Sequence, residues 1–304
     1  MIVVFGSINV DVIMRVATRP QLGETVAAEE CLVRPGGKGA NQAVAAARAG
    51  AEVVMFGAVG ADPFGREMRD GLIANAVDVF GVGIVDRLTG CATIIVDGSG
   101  ENTICVAAGA NGLVRADAVP DEFLRRETIV VAQMEVPEEQ NWSLFRRAKA
   151  REATTILNLA PAQSLSDAGL AAIRRSVDYL IVNETEAELV ARKCRPGVAA
   201  EDPCELGKVV SDTLGLTTIL TLGSKGAVAI AGTDMLRADS LPVDVIDTTG
   251  AGDTFTGVFA AALERQASLS VALSEASAAG SLACEKLGAQ DSMPTFERIQ
   301  QALS

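Results

Sequence analysis

The chain has 304 residues, 49% hydrophobic and 21% charged, with a formal charge of −13 and an aromatic share of 4%. This composition suits a globular protein with a sizeable core and excludes a disordered one. The negative charge repels phosphate backbones and the scarcity of rings leaves no platform for stacked bases, so a nucleic-acid partner is not expected.

The opening Met1-Ile-Val-Val-Phe-Gly6 carries no basic leader, and its short apolar run reads as a buried first strand, not a signal peptide. No later stretch reaches the roughly 18 uninterrupted apolar residues of a membrane span, and a cytoplasmic location is expected. Cys31, Cys91, Cys105, Cys194, Cys204 and Cys284 form no Cys-x-x-Cys pair, and His is absent. A structural zinc site is therefore not expected, and the thiols read as reduced, packed side chains.

Short β-branched runs alternate with Ala-rich helical stretches, the pattern of parallel strands joined by crossover helices. Strands are expected at Ile2–Phe5, Val53–Phe56, Thr128–Ala132, Thr155–Asn158, Tyr179–Val182, Thr218–Leu222 and Ala227–Ala231. Their consecutive apolar residues suit a sheet covered on both faces. Two regions break the rhythm, 12–33 and 91–107. In the second, Cys91–Val96 and Thr103–Ala107 flank the turn Asp97-Gly-Ser-Gly-Glu-Asn102 and read as a hairpin. No internal repeat is visible, and Lys193–Cys204 is too short a linker to separate a pair of domains. The fold class expected is α/β, one domain spanning 1–304.

Gly36-Gly-Lys-Gly-Ala-Asn41 precedes a helical run, Gln42–Ala49, closed by Gly50. It is not a P-loop, which needs a Gly separated by four residues from the Gly-Lys pair and a Ser or Thr after the Lys. Gly81, Gly83 and Asp86, like Gly98, Gly100 and Thr103, miss the third glycine of a dinucleotide fingerprint. In Asp247-Thr-Thr-Gly-Ala-Gly-Asp-Thr-Phe255 the glycines open a helix whose buried stripe is Phe255, Val258, Phe259, Ala262 and Leu263. Helix N-termini favour anions, because their first N–H groups lack acceptors and the macrodipole is positive there. On the residues alone Asp253 is either a helix cap or a proton acceptor beside an anion site.

These segments, with Gly6-Ser-Ile-Asn-Val-Asp11, Gly23-Glu-Thr25, Asn183-Glu-Thr-Glu186 and Thr221-Leu-Gly223, occur in the order found in ribokinases. Gly100-Glu-Asn102, Ala108-Gly-Ala-Asn111, Glu135 and Gly288-Ala-Gln290 are finer matches. The chain thus resembles the ribokinase family of carbohydrate kinases from end to end. The resemblance implies a doubly wound, mostly parallel αβα sandwich with a small β lid from about 12–33 and 91–107, through which two protomers pair. It implies ATP-dependent phosphorylation of a sugar hydroxyl, foremost ribose to ribose 5-phosphate. A fructokinase, deoxyribose kinase or nucleoside kinase is the alternative within the family, and a sugar sensor without turnover the alternative outside it. A nucleoside site would need an aromatic or apolar clamp, which Trp142 and Tyr179 do not obviously supply.

Carried over by residue, Asn9, Asp11, Gly37, Lys38, Asn41 and Glu135 are expected at the sugar. Gly250, Ala251 and Gly252 are expected to form an anion hole, with Asp253 the base. Asn183 and Glu186 would organise Mg2+ and phosphate through water, while Thr221, Gly223 and Ser277 would line the nucleotide site. Asp247, Thr249, Ala283, Lys286, Gly288 and Ser292 would hold a monovalent cation, K+. Surface roles for Asp11, Glu135 and Lys38, capping for Asn183 and a local turn for Asp247 are the plainer readings. Two departures touch the nucleotide side. Asn158-Leu-Ala-Pro161 replaces Asn-Pro-Ala-Pro, and Ser277 stands where many relatives place His or Asn.

Overall fold

The computed structural model describes residues 1–98, 102–162, 165–198 and 200–304. Its strands are β1 (Ile2–Phe5), β2 (Asn9–Arg15), β3 (Glu30–Gly36), β4 (Val53–Gly60), β5 (Asp78–Val85), β6 (Gly90–Val96), β7 (Asn102–Ala107), β8 (Ile129–Gln133), β9 (Thr154–Asn158), β10 (Tyr179–Asn183), β11 (Thr217–Thr221), β12 (Ala227–Ala231) and β13 (Asp234–Ala238). Nine of them form one sheet in the order β13-β12-β11-β10-β9-β8-β1-β4-β5. It is parallel from β5 to β11 and antiparallel at β12 and β13. The other four form a second sheet, β3-β2-β6-β7.

The helices are α1 (Lys38–Arg48), α2 (Pro63–Ala74), α3 (Glu138–Lys149), α4 (Asp167–Ser176), α5 (Glu184–Cys194), α6 (Pro203–Leu214), α7 (Ala251–Glu264), α8 (Leu269–Ala283), α9 (Ala289–Ser292) and α10 (Phe296–Leu303). They cover both faces of the large sheet. Alternate residues of each central strand therefore enter different cores: Ile2, Val4, Ile129 and Val131 pack with α1, α7 and α8, while Val3, Phe5, Val130 and Ala132 pack with α3, α5 and α6. This two-sided burial is why those strands read as unbroken apolar runs. Each fully buried Val, Ile or Phe contributes about 1.5–3 kcal/mol.

The expected strands are present within a residue at each end, except that β4 runs on to Gly60. Four others were not anticipated as strands. The edge strands β5 and β13 are largely exposed and carry no continuous apolar run, while β2 and β3 build the second sheet from the irregular region around 12–33. The hairpin is present, β6 pairing with β7 from Cys91↔Ala107 to Val96↔Asn102; Ser99, Gly100 and Glu101 of its turn lie outside the described residues. The expected linker overlaps two helix ends, and residues 195–202, of which Ala199 is likewise outside, connect α5 to α6. Helix α1 starts at Lys38, four residues before the expected run, because Gly37 (φ 88°) supplies its N-cap. Residues 243–246 form no strand, and Val245 and Ile246 are more than half exposed.

From β1 the chain moves to β4 on one side, and β8 takes the other side. This is a topological switch point, where open α/β sheets bind ligands beyond the carboxyl ends of their strands.

Candidate active site

Beyond β1, the Ser7 hydroxyl donates to Glu135 Oε2 (2.5 Å), just past β8. The same oxygen accepts the Lys38 N–H (3.1 Å), and the Ser7 carbonyl accepts the Ala40 N–H (2.9 Å). Donors of the first turn of α1, which a helix leaves without acceptors, are thus tied to both strands at the switch point. The glycines here allow close packing: a Cβ on Gly37 would stand 2.6 Å from the Asn9 nitrogen, and one on Gly39 2.6 Å from the Ser7 nitrogen.

Asn9 and Asp11 lie on β2 opposite Gly36 and Arg34 of β3. The absent side chain of Gly36 makes room for Asp11, whose carboxylate would lie within 2.3 Å of a Cβ built there. Burial raises the Asp11 carboxyl to about 7, helped by Glu135 and Asp253 and opposed by Lys38. Asn9 Oδ1 accepts from Asn111 Nδ2 (2.7 Å), which leaves the Asn9 amide N–H groups for a ligand.

On the far side, α7 crosses α1 at Gly257, where a Cβ would stand 2.5 Å from the Gln42 carbonyl oxygen and 2.7 Å from Ala45 Cβ. That close approach brings Asp253 to α1. Asp253 Oδ2 accepts from Asn41 Nδ2 and Oδ1 from Gln42 Nε2, both at 2.9 Å, and the residue is 7% exposed. Asp253 is therefore not a cap; Gly250 (φ 76°) is the N-cap of α7. The Gly250 and Gly252 N–H groups donate to nothing among the described residues. Ala251 differs from the expected hole, its N–H being turned to the Thr248 carbonyl at 3.2 Å. Asn41 also accepts from Gln290 Nε2 (3.1 Å), which leaves it one N–H and one lone pair for a ligand.

A cavity of 760 Å³ opens beside Asp253, lined by Lys38, Asn183, Glu186, Thr221, Gly223, Gly250–Asp253 and Ser277. Neither Trp142 nor Tyr179 is among its lining residues. Lys38 lines this cavity and also faces the Glu135 and Asp11 carboxylates. Its ammonium is raised, first by Asp253 against the opposing effect of burial, then by Glu135, Glu186 and Asp11. Asn183 does cap its helix, α5, in a reciprocal box with Glu186 at 2.9 Å each way. Burial raises the Glu186 carboxyl, the Asn183 N–H and Lys38 offsetting it in part. The Ser277 hydroxyl is already used, donating to the Asp239 carbonyl at 2.9 Å.

Asp247 does bond its local turn, through the Thr249 N–H (2.9 Å) and hydroxyl (2.6 Å), and it also reaches across to the Gly288 N–H (2.8 Å). Burial pushes its carboxyl up, but these bonds outweigh burial and hold it below its ordinary value. The loop and the segment carrying Gly288 are thereby joined, and Arg48 grips that segment again at the Gln290 (2.6 Å) and Met293 (2.9 Å) carbonyls. Ala283 ends α8, and its carbonyl accepts no backbone N–H from the turn that follows among the described residues. An ionised carboxylate and unfilled carbonyls fit a hard monovalent cation. Ser292 donates to the Ala289 carbonyl (2.8 Å), and the Lys286 side chain is exposed. Among the described residues no three His, Cys, Asp or Glu side chains cluster as a metal cage.

Sequence reasoning missed the side-chain amides. Gln42, Gln133 and Asn158 form a buried network behind Asp253, while Asn111 orients Asn9. The available signal was polar: Gln42 interrupts the alanine-rich face of α1 and Gln133 ends the apolar β8.

The model of the pfkB family of carbohydrate kinases matches residues 1–296. The ribokinase of Lactococcus lactis is 37% identical over 99% of this chain and 96% of its own length, and that of Bacillus subtilis 35% identical over 100% and 99%. Among solved structures, Thermotoga maritima ribokinase superimposes with a TM-score of 0.90 at 30% identity, covering 100% of this chain and 99% of that one. Arabidopsis thaliana ribokinase, solved with ribose and ATP, gives 0.89 at 30% identity over 100% and 98%. No helix of the described residues is long and apolar enough to cross a membrane.

Proposed function

The chain belongs to the pfkB family of carbohydrate kinases, and on that premise we propose that it transfers the γ-phosphoryl group of ATP to the primary hydroxyl of ribose, with Asp253 as base. The observation carrying this reading is the buried Asp253 carboxylate, oriented through both oxygens by Asn41 and Gln42, coupled to Asp11 and lining the 760 Å³ cavity. Asp11, Asn9 and Glu135 supply acceptors and donors for the sugar hydroxyls, with Gly37, Lys38 and Asn41 around them. Asp253 takes the proton as the hydroxyl oxygen bonds to the γ-phosphorus. The bond from phosphorus to the bridging oxygen breaks, and ADP leaves. The Gly250 and Gly252 N–H groups face the charge that develops on the phosphoryl oxygens, and the Ala251 N–H joins them by giving up Thr248. Lys38 spans both ligands and matches that charge.

Asn183 and Glu186 are the residues to hold Mg2+ through water, and Thr221, Gly223 and Ser277 to line the nucleotide. Asp247 with oxygens of Thr249, Ala283, Lys286, Gly288 and Ser292 would hold K+. These ions supply charge neutralisation beside the phosphates. We read 1–304 as one αβα unit whose second sheet is the lid. The exposed Ile104 and Val106 of β7 favour pairing of two lids, and six free thiols favour a reducing cytoplasm.

The test is ADP release over pentoses, hexoses and nucleosides, with the product phosphate located by NMR. Ribose should give the highest kcat/KM and the 5-phosphate. A preference of tenfold or more for another acceptor would overturn the assignment.

A further inference from the structure

Asp253 is backed by amides whose orientation is fixed by mutual need. Gln42 is 0% exposed; its Nε2 donates to Asp253 Oδ1 (2.9 Å) and to Asn158 Oδ1 (3.1 Å), and its Oε1 accepts from Gln133 Nε2 (2.7 Å). Both N–H groups and the carbonyl are thus occupied. If the amide were turned over, its oxygen would face a carboxylate and a second carbonyl with no proton between them.

Gln133, also 0% exposed, leaves its own Oε1 buried without a partner. That oxygen lies over Gly6, where a Cβ would stand 1.9 Å away. Turning Gln133 would set oxygen against oxygen at Gln42, so the orphan acceptor is the cost of keeping its N–H aimed along the chain. A buried acceptor left unsatisfied in a native interior calls for a functional explanation. Here the chain of donors ends on the Asp253 carboxylate.

We propose that Gln42, aimed by Gln133, is a positioning residue for the base: it fixes Asp253 Oδ1 so that the carboxylate cannot rotate away from the sugar hydroxyl. This rests on the reading of Asp253 as the base. The other groups facing Asp253 are Asn41 on Oδ2, Lys38 from the start of α1 and Asp11 from β2. No other group bonds Oδ1 among the described residues. Without Gln42 the carboxylate turns and keeps its proton to higher pH.

The experiment is the pH profile of kcat, at saturating ribose and ATP, for Gln42→Met, the isosteric Gln42→Glu and Gln133→Met, with melting temperatures and Asp253→Asn as control. In Gln42→Met, kcat should fall by roughly 10–100-fold with both KM values within about threefold, and the acid limb should move up by about one pH unit. Gln42→Glu places a second carboxylate against the first, the pair shares a proton, and the limb should move further. Gln133→Met should shift it less, in the same direction. An unmoved limb in the Gln42 variants that fold, whether kcat is native or falls together with melting temperature, makes Gln42 a packing residue and overturns the proposal. Native turnover in Asp253→Asn would instead sink the base reading and this inference with it.

Discussion

Asn41 and Asp253, 212 positions apart in the chain, meet in a 2.9 Å hydrogen bond that fixes one oxygen of the carboxylate while Gln42 fixes the other. An Asn at 253 could accept from just one of these donors and could not take a proton. Asp253→Asn should bind ribose and ATP with KM values within a few-fold of native while kcat falls by roughly 10²–10⁴. Steady-state kinetics decide it, and near-native turnover would falsify the role.

Asp11 gives a prediction in pH. Its carboxyl is raised from 3.8 to about 7 in the folded protein, chiefly by burial and then by Glu135 and Asp253. Between these values the folded state binds more protons than the unfolded one, so this group's contribution to stability is present at low pH and is lost as pH rises to 7. The melting temperature of the ligand-free native protein should therefore fall relative to that of Asp11→Asn across this window. Ionised Asp11 is the better acceptor for sugar hydroxyls, so KM for ribose should drop as pH rises from about 6 to 8. In Asp11→Asn that dependence should vanish, and KM for ribose at pH 8 should rise by roughly 10–100-fold with KM for ATP unchanged. Equal effects on both substrates would remove Asp11 from the sugar.

Gly36 leaves the space that the Asp11 carboxylate fills. Gly36→Ala should displace that carboxylate and raise KM for ribose by about tenfold, with an overpacking cost of about 1–3 kcal/mol read by thermal melting. Unchanged ribose affinity would show that the pocket tolerates the shift.

The Asp247 loop should make the rate depend on the monovalent cation. At constant ionic strength, K+ should give a higher kcat than Na+ or a bulky organic cation, and Asp247→Ala should lose both rate and discrimination. A second readout is thermal stability, which K+ should raise in the native protein and not in the variant. Indifference to the cation in both measurements counts against the site.

Much of this architecture was legible because the central strands are covered on both faces, and runs such as Ile2–Phe5 carry that signature plainly. Strand β5 was not, since at the sheet edge Phe80 and Ile84 face outward and no pattern of burial marks it. The plainer readings of two motif residues hold: Asn183 caps its helix and Asp247 closes its turn, while Asn183 also lines the cavity beside Asp253 and Asp247 reaches across to Gly288. What motifs could not convey was pairing. Gln42 reads as an ordinary polar residue of a helix until α7 lies across α1 at Gly257, and Gln133 acquires its meaning from a neighbour 91 positions earlier.

Asn9 and Asp11 reach the candidate site from β2 of the second sheet, whereas the amides around Asp253 come from α1, β8 and β9. Exchanges on the strands of the second sheet leave those amides in place, but an exchange at Asp11 also changes the field at Asp253. Exchanges at Gln42, Gln133 or Asn158 disturb proton transfer for every acceptor alike. Directed evolution of acceptor range should therefore begin on β2 and β3 and leave Asn41, which bonds Asp253, unchanged.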